Sequence, residues 1–405
     1  MSWDVRPCAS AKEQREAMSA ILHYFGRSAP RDDQMASLAR LMPAERMHGA
    51  WDGGRVVGGA GAFALQLTVP GGRVQTAGVS VVGVLPTHRR RGVLTAMMRA
   101  QLDACRAQGE PVAYLWSSDD RIYGRFGYGL ASLTGEIDLA RDRAAFHAGF
   151  EPFGRARLVP LVEAEPFVAP VWDRVATETP GMFGRTPAWW QSRALVDPDW
   201  RRGGGGELQC VVLEADGSPA AYALYRINLT FDRGVSASTV VVVEAMGDSP
   251  RATQAVWRYL LDMDWVARVR GGLLPLDHPL LLLAAEPRQL RFGVRDGVWV
   301  RLVDVGAALP ARTYAAAGSV VVDVTDGFCP WNAGRWRIGE GGAERTSAEP
   351  DLRCDVTALG AVYLGGFTWA QLARALRVEE LRPGALARAT ALFRGDRAPW
   401  CPEIF

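Results

Sequence analysis

The chain has 405 residues, 48% of them hydrophobic and 22% charged, which is the profile of a folded globular protein of two or three domains rather than a disordered one. Its 46 basic residues against 44 acidic leave a formal charge of +2, too small for a general nucleic-acid or membrane-binding surface. Six cysteines without CxxC spacing and five histidines without HxxxH or HxH pairing argue against structural disulfides and a bound metal.

The N-terminus, MSWDVRPCAS, lacks the basic-then-apolar order of a signal peptide, so a cytoplasmic location is expected. The most apolar run, GGLLPLDHPLLLLAAEP, is interrupted by prolines, Asp277 and His278 and is too short to span a bilayer. The stretches AKEQREAMSAILHYF and DDQMASLARLM carry helical spacing of apolar residues. Strands follow, punctuated by turn signals at Asp52-Gly53-Gly54 and Pro70-Gly71-Gly72. A helix is expected from about Arg90 to Ala107, with Val93, Leu94, Met97, Met98 and Leu102 on one face. PVAYLWSS reads as a buried strand, DDRIYGRF as a short helix or turn, and ASLTGEIDLA as a further strand.

From about 155 to 297 the same grammar returns faintly. STVVVVEAMGDSPRATQAVWRYLLDMD is again strand, connection and helix, but with the single Arg251 in place of a basic cluster, as in a duplicated domain that has lost its ligand loop. From about Val298 long strands with turn signals, DLRCDVTALGAVYLGG among them, precede two helices, TWAQLARALR and GALARATALFR, and an extended tail. The whole is expected to be α/β (α+β), with domains at 1–146, 147–297 and 298–405.

The chemistry concentrates in VLPTHRRRGVLTAMM, where Arg89, Arg90 and Arg91 stand at a strand-to-helix junction. A helix N-terminus offers unpaired N–H groups and a partial positive charge of about half a unit, which suits phosphate oxygens. Gly92 would let a pyrophosphate approach the backbone, and arginines supply charge-assisted hydrogen bonds. The bland alternative is a solvated basic helix start. Neither GxGxxG nor GxxxxGK[ST] is present, so a dinucleotide Rossmann loop and a Walker loop have no support.

Strand, Arg89-x-x-Gly92-x-Leu94, helix resembles the pyrophosphate loop of the GCN5-related N-acetyltransferases (GNAT), departing from R/Q-x-x-G-x-G/A at Leu94. With IYGRFGYG, AAYALYRI, ALGAVYLGG and the terminal Phe405, the resemblance narrows to the Eis-type (enhanced intracellular survival) acetyltransferases over essentially the whole chain. It implies tandem GNAT folds, the second degenerate, followed by a sterol-carrier-protein-like (SCP2-like) domain that supplies the C-terminal carboxylate. It also implies acetyl-CoA as cosubstrate, no metal, a small-molecule amine or lysine acceptor, and a homo-oligomer, a hexamer in the family.

Carried across residue by residue, Val82 and Val84 match the strand that holds the pantetheine arm. Arg89, Arg90, Gly92 and Val93 match the pyrophosphate contacts, and Ser118 a further coenzyme contact. Tyr123 matches the general acid that protonates the departing thiolate, and Phe405 the residue whose α-carboxylate is the general base. On the acceptor side the match departs. Phe25 is followed by Gly26 and Arg27 where well-known members carry an acidic residue, and Ile404 replaces the acidic neighbour of the final Phe. Asp32, Asp33, Asp119, Asp120 and Glu403 are candidates to compensate, and Trp189 and Trp190 to wall the pocket. Losing two carboxylates should cut affinity for polycations, so the acceptor is left open between aminoglycoside-like antibiotics, which would make the protein a resistance factor, and a less cationic amine, a lysine side chain or a specialised-metabolite amine. The non-enzymatic alternative is a lipid or acyl carrier that uses the SCP2-like domain.

Overall fold

The computed structural model describes residues 3–147 and 152–405. The chain forms two compact units. One comprises the chain up to Ser132 with Val298–Pro399 and Ile404–Phe405, the other Leu133–Gly297 with Trp400–Glu403.

The first unit is built on a seven-stranded sheet. Its strands in chain order are β1 (Asp4–Pro7), β2 (Met47–Asp52), β3 (Arg55–Val69), β4 (Gly72–Val84), β5 (Val112–Trp116) and β6 (Gly129–Leu130), with Val298–Leu302 inserted between β5 and β6. All neighbours are antiparallel except β4 and β5, which run parallel and are joined by a helical crossover. Among the helices of this unit, α1 (Ala11–Tyr24), α2 (Asp32–Leu41) and α3 (Val93–Ala107) precede β5 in the chain. Helix α1 buries Gln14, Ala17, Met18, Ala20 and Ile21, the spacing of a single face. Glycines let that face approach the sheet. A Cβ at Gly83 would stand 3.0 Å from the Ile21 Cα, and one at Gly59 2.9 Å from the Ile21 side chain. Helix α3 buries Val93, Met97, Met98, Gln101, Leu102 and Cys105, and each of its fully buried aliphatic side chains contributes roughly 2 kcal/mol. It begins at Val93 rather than near Arg90, because Gly92 is left-handed (φ 85°) and ends the non-helical run.

The same unit holds a five-stranded sheet in the order Gly342–Arg345, Gly334–Gly339, Ser319–Thr325, Leu352–Asp355, Val378–Glu380. The segment DLRCDVTALGAVYLGG, read as strand, is strand only to Asp355. The Asp355 side chain then caps a helix, Val356–Tyr363, by accepting the Ala358 N–H. That helix is apolar all round and almost wholly buried, so it carries no amphipathic period to reveal it.

The second unit repeats the plan of the first. Its seven-stranded sheet runs Gly293–Asp296, Leu133–Ala140, Arg268–Leu274, Thr239–Gly247, Ser218–Asn228, Gln209–Ala215, Arg155–Val159. Its one parallel pair, Thr239–Gly247 with Arg268–Leu274, is again bridged by a helix, Pro250–Leu261. Strand Leu133–Ala140 thus lies in the second sheet and Val298–Leu302 in the first. Among the described residues no helix is long and apolar enough to cross a membrane.

Candidate functional site

Strand β4 departs from regular pairing where the site is built. Ala60 faces Val82 and Gly61 faces Ser80, which leaves Val81 as an extra, bulged residue with φ 48°. A valine there is strained, and such strain concentrates at functional sites. The parallel pairing of β4 with β5 covers only Thr76–Gly78 against Val112–Tyr114, so from Val79 to Val84 the β4 backbone is bonded to β3 alone. The two strands splay, and the β4 edge at Val82 and Val84 is not paired with β5.

After β4 the chain passes the turn Pro86–His88 and the three arginines. His88 is held by Thr87 Oγ1 (2.8 Å) and Asp52 Oδ2 (3.1 Å). The Trp3 indole donates to the Arg91 carbonyl (2.8 Å) and lies under the Arg91 guanidinium. Arg90 is left-handed (φ 59°), as is Gly92, the N-cap of α3. Gly92 offers no side chain to cap the helix, so the first N–H groups of α3 remain available to an anion. Arg89, Arg90 and Arg91 are exposed, and no carboxylate among the described residues pairs with them. The matching helix of the second unit is closed in contrast. Ser249 Oγ accepts the Ala252 N–H and Pro250, in the first turn, has no N–H to give.

One pocket of about 330 Å³ gathers Val82, Val84, Arg89, Arg90, Gly92, Val93, Ser118 and Tyr123 in its lining. All the cofactor residues expected from the sequence, and the expected general acid, therefore share one wall system. The pocket also takes in Tyr24, Gly83, His88, Leu94, Thr95, Ile122 and Arg125. Of these, His88, Leu94, Thr95, Ile122 and Arg125 lie inside the motifs that marked the site. Tyr24, at the last turn of α1, carries no sequence signal of its own.

Tyr123 closes the short helix Asp120–Tyr123, whose start is capped by Asp119. It is 7% exposed, and burial, with Tyr24 nearby, pushes its phenol up to about 12. The second glycine of the motif, Gly127, has a packing role. It is left-handed (φ 87°), and a Cβ there would meet the Arg301 guanidinium at 2.4 Å.

Phe405 is not among the residues lining that pocket. Its ring is buried against Tyr114 (centroids 4.7 Å apart) and over Gly78, where a Cβ would stand 3.3 Å from it. Its terminal carbonyl oxygen accepts the Ser80 hydroxyl at 2.9 Å. Ser80 immediately precedes the Val81 bulge, two residues from Val82.

Four of the five acidic side chains considered as holders of a polycation are engaged with arginines. Asp32 pairs with Arg15 (2.6 Å), Asp33 with Arg31 (3.0 Å) and Asp119 with Arg121 (2.9 Å), while Glu403 is bound by both Arg185 and Arg193 (2.8 Å each). Trp189 and Trp190 are buried in the second unit, 3% and 1% exposed, and neither lines the pocket. Among the described residues no cluster of His, Cys, Asp and Glu side chains is arranged to hold a metal ion.

The Acetyltransferase (GNAT) domain family matches residues 5–131 and, through a second GNAT family, 181–302; the Sterol carrier protein domain family matches 305–402. The chain is 43% identical over 392 residues to an uncharacterized N-acetyltransferase of Streptomyces avermitilis, covering 95% of each. It is 36% identical over 361 residues to N-acetyltransferase Eis of Mycobacterium tuberculosis, covering 86% of this chain and 85% of that one. The crystal structure of Eis1 from Mycobacterium abscessus superposes with a TM-score of 0.87 at 35% identity, over 99% of this chain and 100% of that one.

Proposed function

Because the chain belongs to the Eis-type GCN5-related N-acetyltransferases, with tandem GNAT folds and a sterol-carrier-like domain, we propose that this acetyltransferase moves the acetyl group of acetyl-CoA to the primary amine of a small molecule or lysine side chain. The observation that carries this reading is the single pocket in which a bulged, splayed strand, an uncapped helix start with unpaired arginines, and a buried tyrosine converge. The diphosphate of the donor sits at Arg89, Arg90, Gly92 and Val93. The pantetheine arm runs along the Val82–Val84 edge as an added strand would, and Ser118 contacts it from the loop after β5.

The chemistry then divides between two groups. The amine must lose a proton as its nitrogen attacks the thioester carbonyl, and the Phe405 carboxylate takes that proton. The carbon–sulfur bond breaks as the amide forms, and the Tyr123 hydroxyl protonates the departing thiolate. A phenol pushed to about 12 stays protonated at neutral pH and is available as that acid. The Ser80 hydroxyl orients the carboxylate. The expected segments take the roles of acetyl transfer (1–146), degenerate GNAT copy (147–297) and supply of the carboxylate (298–405), except that Leu133–Ala140 belongs with the second sheet and Val298–Leu302 with the first.

We infer that the acceptor is a weakly cationic amine rather than a polycation. Arg27 and Ile404 stand where acidic residues would favour an aminoglycoside, and Asp32, Asp33, Asp119 and Glu403 are already paired. The test is thiol release from acetyl-CoA with a panel of mono- and polyamines, run on the native protein and on a form extended by one glycine past Phe405. Release with a monoamine, lost in the extended form, is expected. Full activity in the extended form would overturn the role of Phe405, and a marked preference for aminoglycosides would overturn the acceptor class.

A further inference from the structure

Three arginines stand in a row before α3, and the first unit divides them. Arg89 and Arg90 line the pocket, whereas Arg91 does not. The Arg91 guanidinium lies 5.1 Å from the Trp3 ring centroid, and its carbonyl accepts the Trp3 indole N–H at 2.8 Å. The hydrogen-bond ladder of α3 opens one residue later, where Gly92 O accepts the Ala96 N–H (3.0 Å). The Arg91 carbonyl therefore lies outside the ladder, and the tryptophan occupies it.

Trp3 is anchored to do so. It directly precedes β1, whose first residue, Asp4, pairs with Trp51 of β2. Its ring packs against the core cluster that holds Val93 and Met97, and stands edge-on to His88 with centroids 6.0 Å apart. A Cβ at Gly92 would lie 3.9 Å from the indole nitrogen, so the ring flanks the N-cap of α3. At the other end of the turn His88 is tied to Asp52, also on β2 (3.1 Å). Arg89 and Arg90 sit between these two ties.

The turn needs fastening because its own sequence favours another conformation. Arg90 is left-handed (φ 59°), which crowds the Cβ of an L-residue against the next carbonyl and persists only where the surroundings impose it. A relaxed Arg90 would let α3 run back toward it, as the helix expected from about Arg90 does. The Arg90 and Arg91 carbonyls would then capture the N–H groups of Leu94 and Thr95, four residues on. Leu94 and Thr95 both line the pocket. Resting on the reading of this loop as the donor's diphosphate site, we propose that Trp3 is a positioning residue: by holding the Arg91 carbonyl it keeps the first N–H groups of α3 free for the diphosphate and Arg89 and Arg90 at the pocket. Arg91 serves this latch and not the donor.

The test uses the full chain and coenzyme A, with affinity read by calorimetry. Trp3→Phe keeps a ring under Arg91 and removes the indole N–H, while Trp3→Ala removes both. We expect affinity to fall about fivefold in Trp3→Phe and at least about tenfold in Trp3→Ala, with kcat at saturating acetyl-CoA within about twofold of native. Amide exchange at Leu94 and Thr95 should slow in Trp3→Ala as the freed carbonyls capture those groups. Unchanged or faster exchange there overturns the latch, and so does a kcat that falls in step with affinity, which marks a general support of the fold. Arg91→Gln keeps the carbonyl and should bind coenzyme A within about threefold of native. A loss as large as that of Arg90→Gln would make Arg91 a phosphate contact and overturn the division of the arginines. Arg90→Gln also separates the two readings. Native affinity in that variant means the donor site itself fails, whereas weakened binding there with native affinity in Trp3→Ala means that the latch alone does.

Discussion

Tyr123 and Phe405 are opposite cases at the scale of single residues. The tyrosine sits inside IYGRFGYG, a motif whose Gly127 is required by the Arg301 guanidinium behind it, so its place is legible from local sequence. Its chemical state is not, because the shift to about 12 comes from burial by parts of the chain far from it in sequence. That shift has a consequence for rate. A general acid must be protonated, and a phenol with its pKa raised from about 10 to about 12 stays so as pH climbs. We therefore expect kcat/KM to show no alkaline fall attributable to Tyr123 below about pH 10. Tyr123→Phe should lower kcat by roughly a hundredfold or more while leaving acetyl-CoA affinity near native. Steady-state rates from pH 6 to pH 10, with binding calorimetry, check both.

At the scale of secondary structure elements, the start of α3 is where the proposed donor site is tested. Arg89-x-x-Gly92 announces the loop in sequence, yet the predicted helix begins at Arg90 and the observed one at Val93, because Arg90 and Gly92 both take left-handed conformations. Gly92→Ala places a Cβ on a backbone with φ 85°, which costs roughly 1 kcal/mol and shifts the N–H groups of the first turn. The expected result is donor affinity reduced about tenfold with kcat largely kept, measured by calorimetry with coenzyme A. The helix Pro250–Leu261 is the built-in control. It has the same place between parallel strands, but a serine cap and a proline occupy its N-terminus, and coenzyme A should not bind there. The helix Val356–Tyr363 shows the opposite failure of legibility. With no polar face it has no period, and only its burial tells it from a strand.

At the scale of the whole molecule the chain carries two histidines kept neutral by burial. Desolvation, aided by the charge of Arg46, lowers His48 to about 4, and desolvation lowers His278 to about 3. As pH falls below 6.5 the unfolded chain takes up these protons first, so stability present above pH 6.5 is lost on the way down to pH 4. His48 alone accounts for on the order of 3 kcal/mol of that loss. Thermal melts between pH 7.5 and pH 4.5 should show a steep fall in Tm, and His48→Gln should flatten it.

That the residues expected on the donor side share one pocket was foreseeable from the sequence because they are local. Val82 to Val93 are consecutive in the chain, and a strand, a glycine and a helix start meet there wherever the rest of the protein lies. The tandem plan and the loss of the second ligand loop were visible for the same reason, since each is a short pattern of strand, connection and helix. Tertiary structure alone brought the tail to its partners. Ser80 and Phe405 are 325 residues apart, and Arg185 and Glu403 are 218. No composition or spacing marks such pairs, because the free energy that closes so long a loop comes from the packing of whole units and not from the residues that meet.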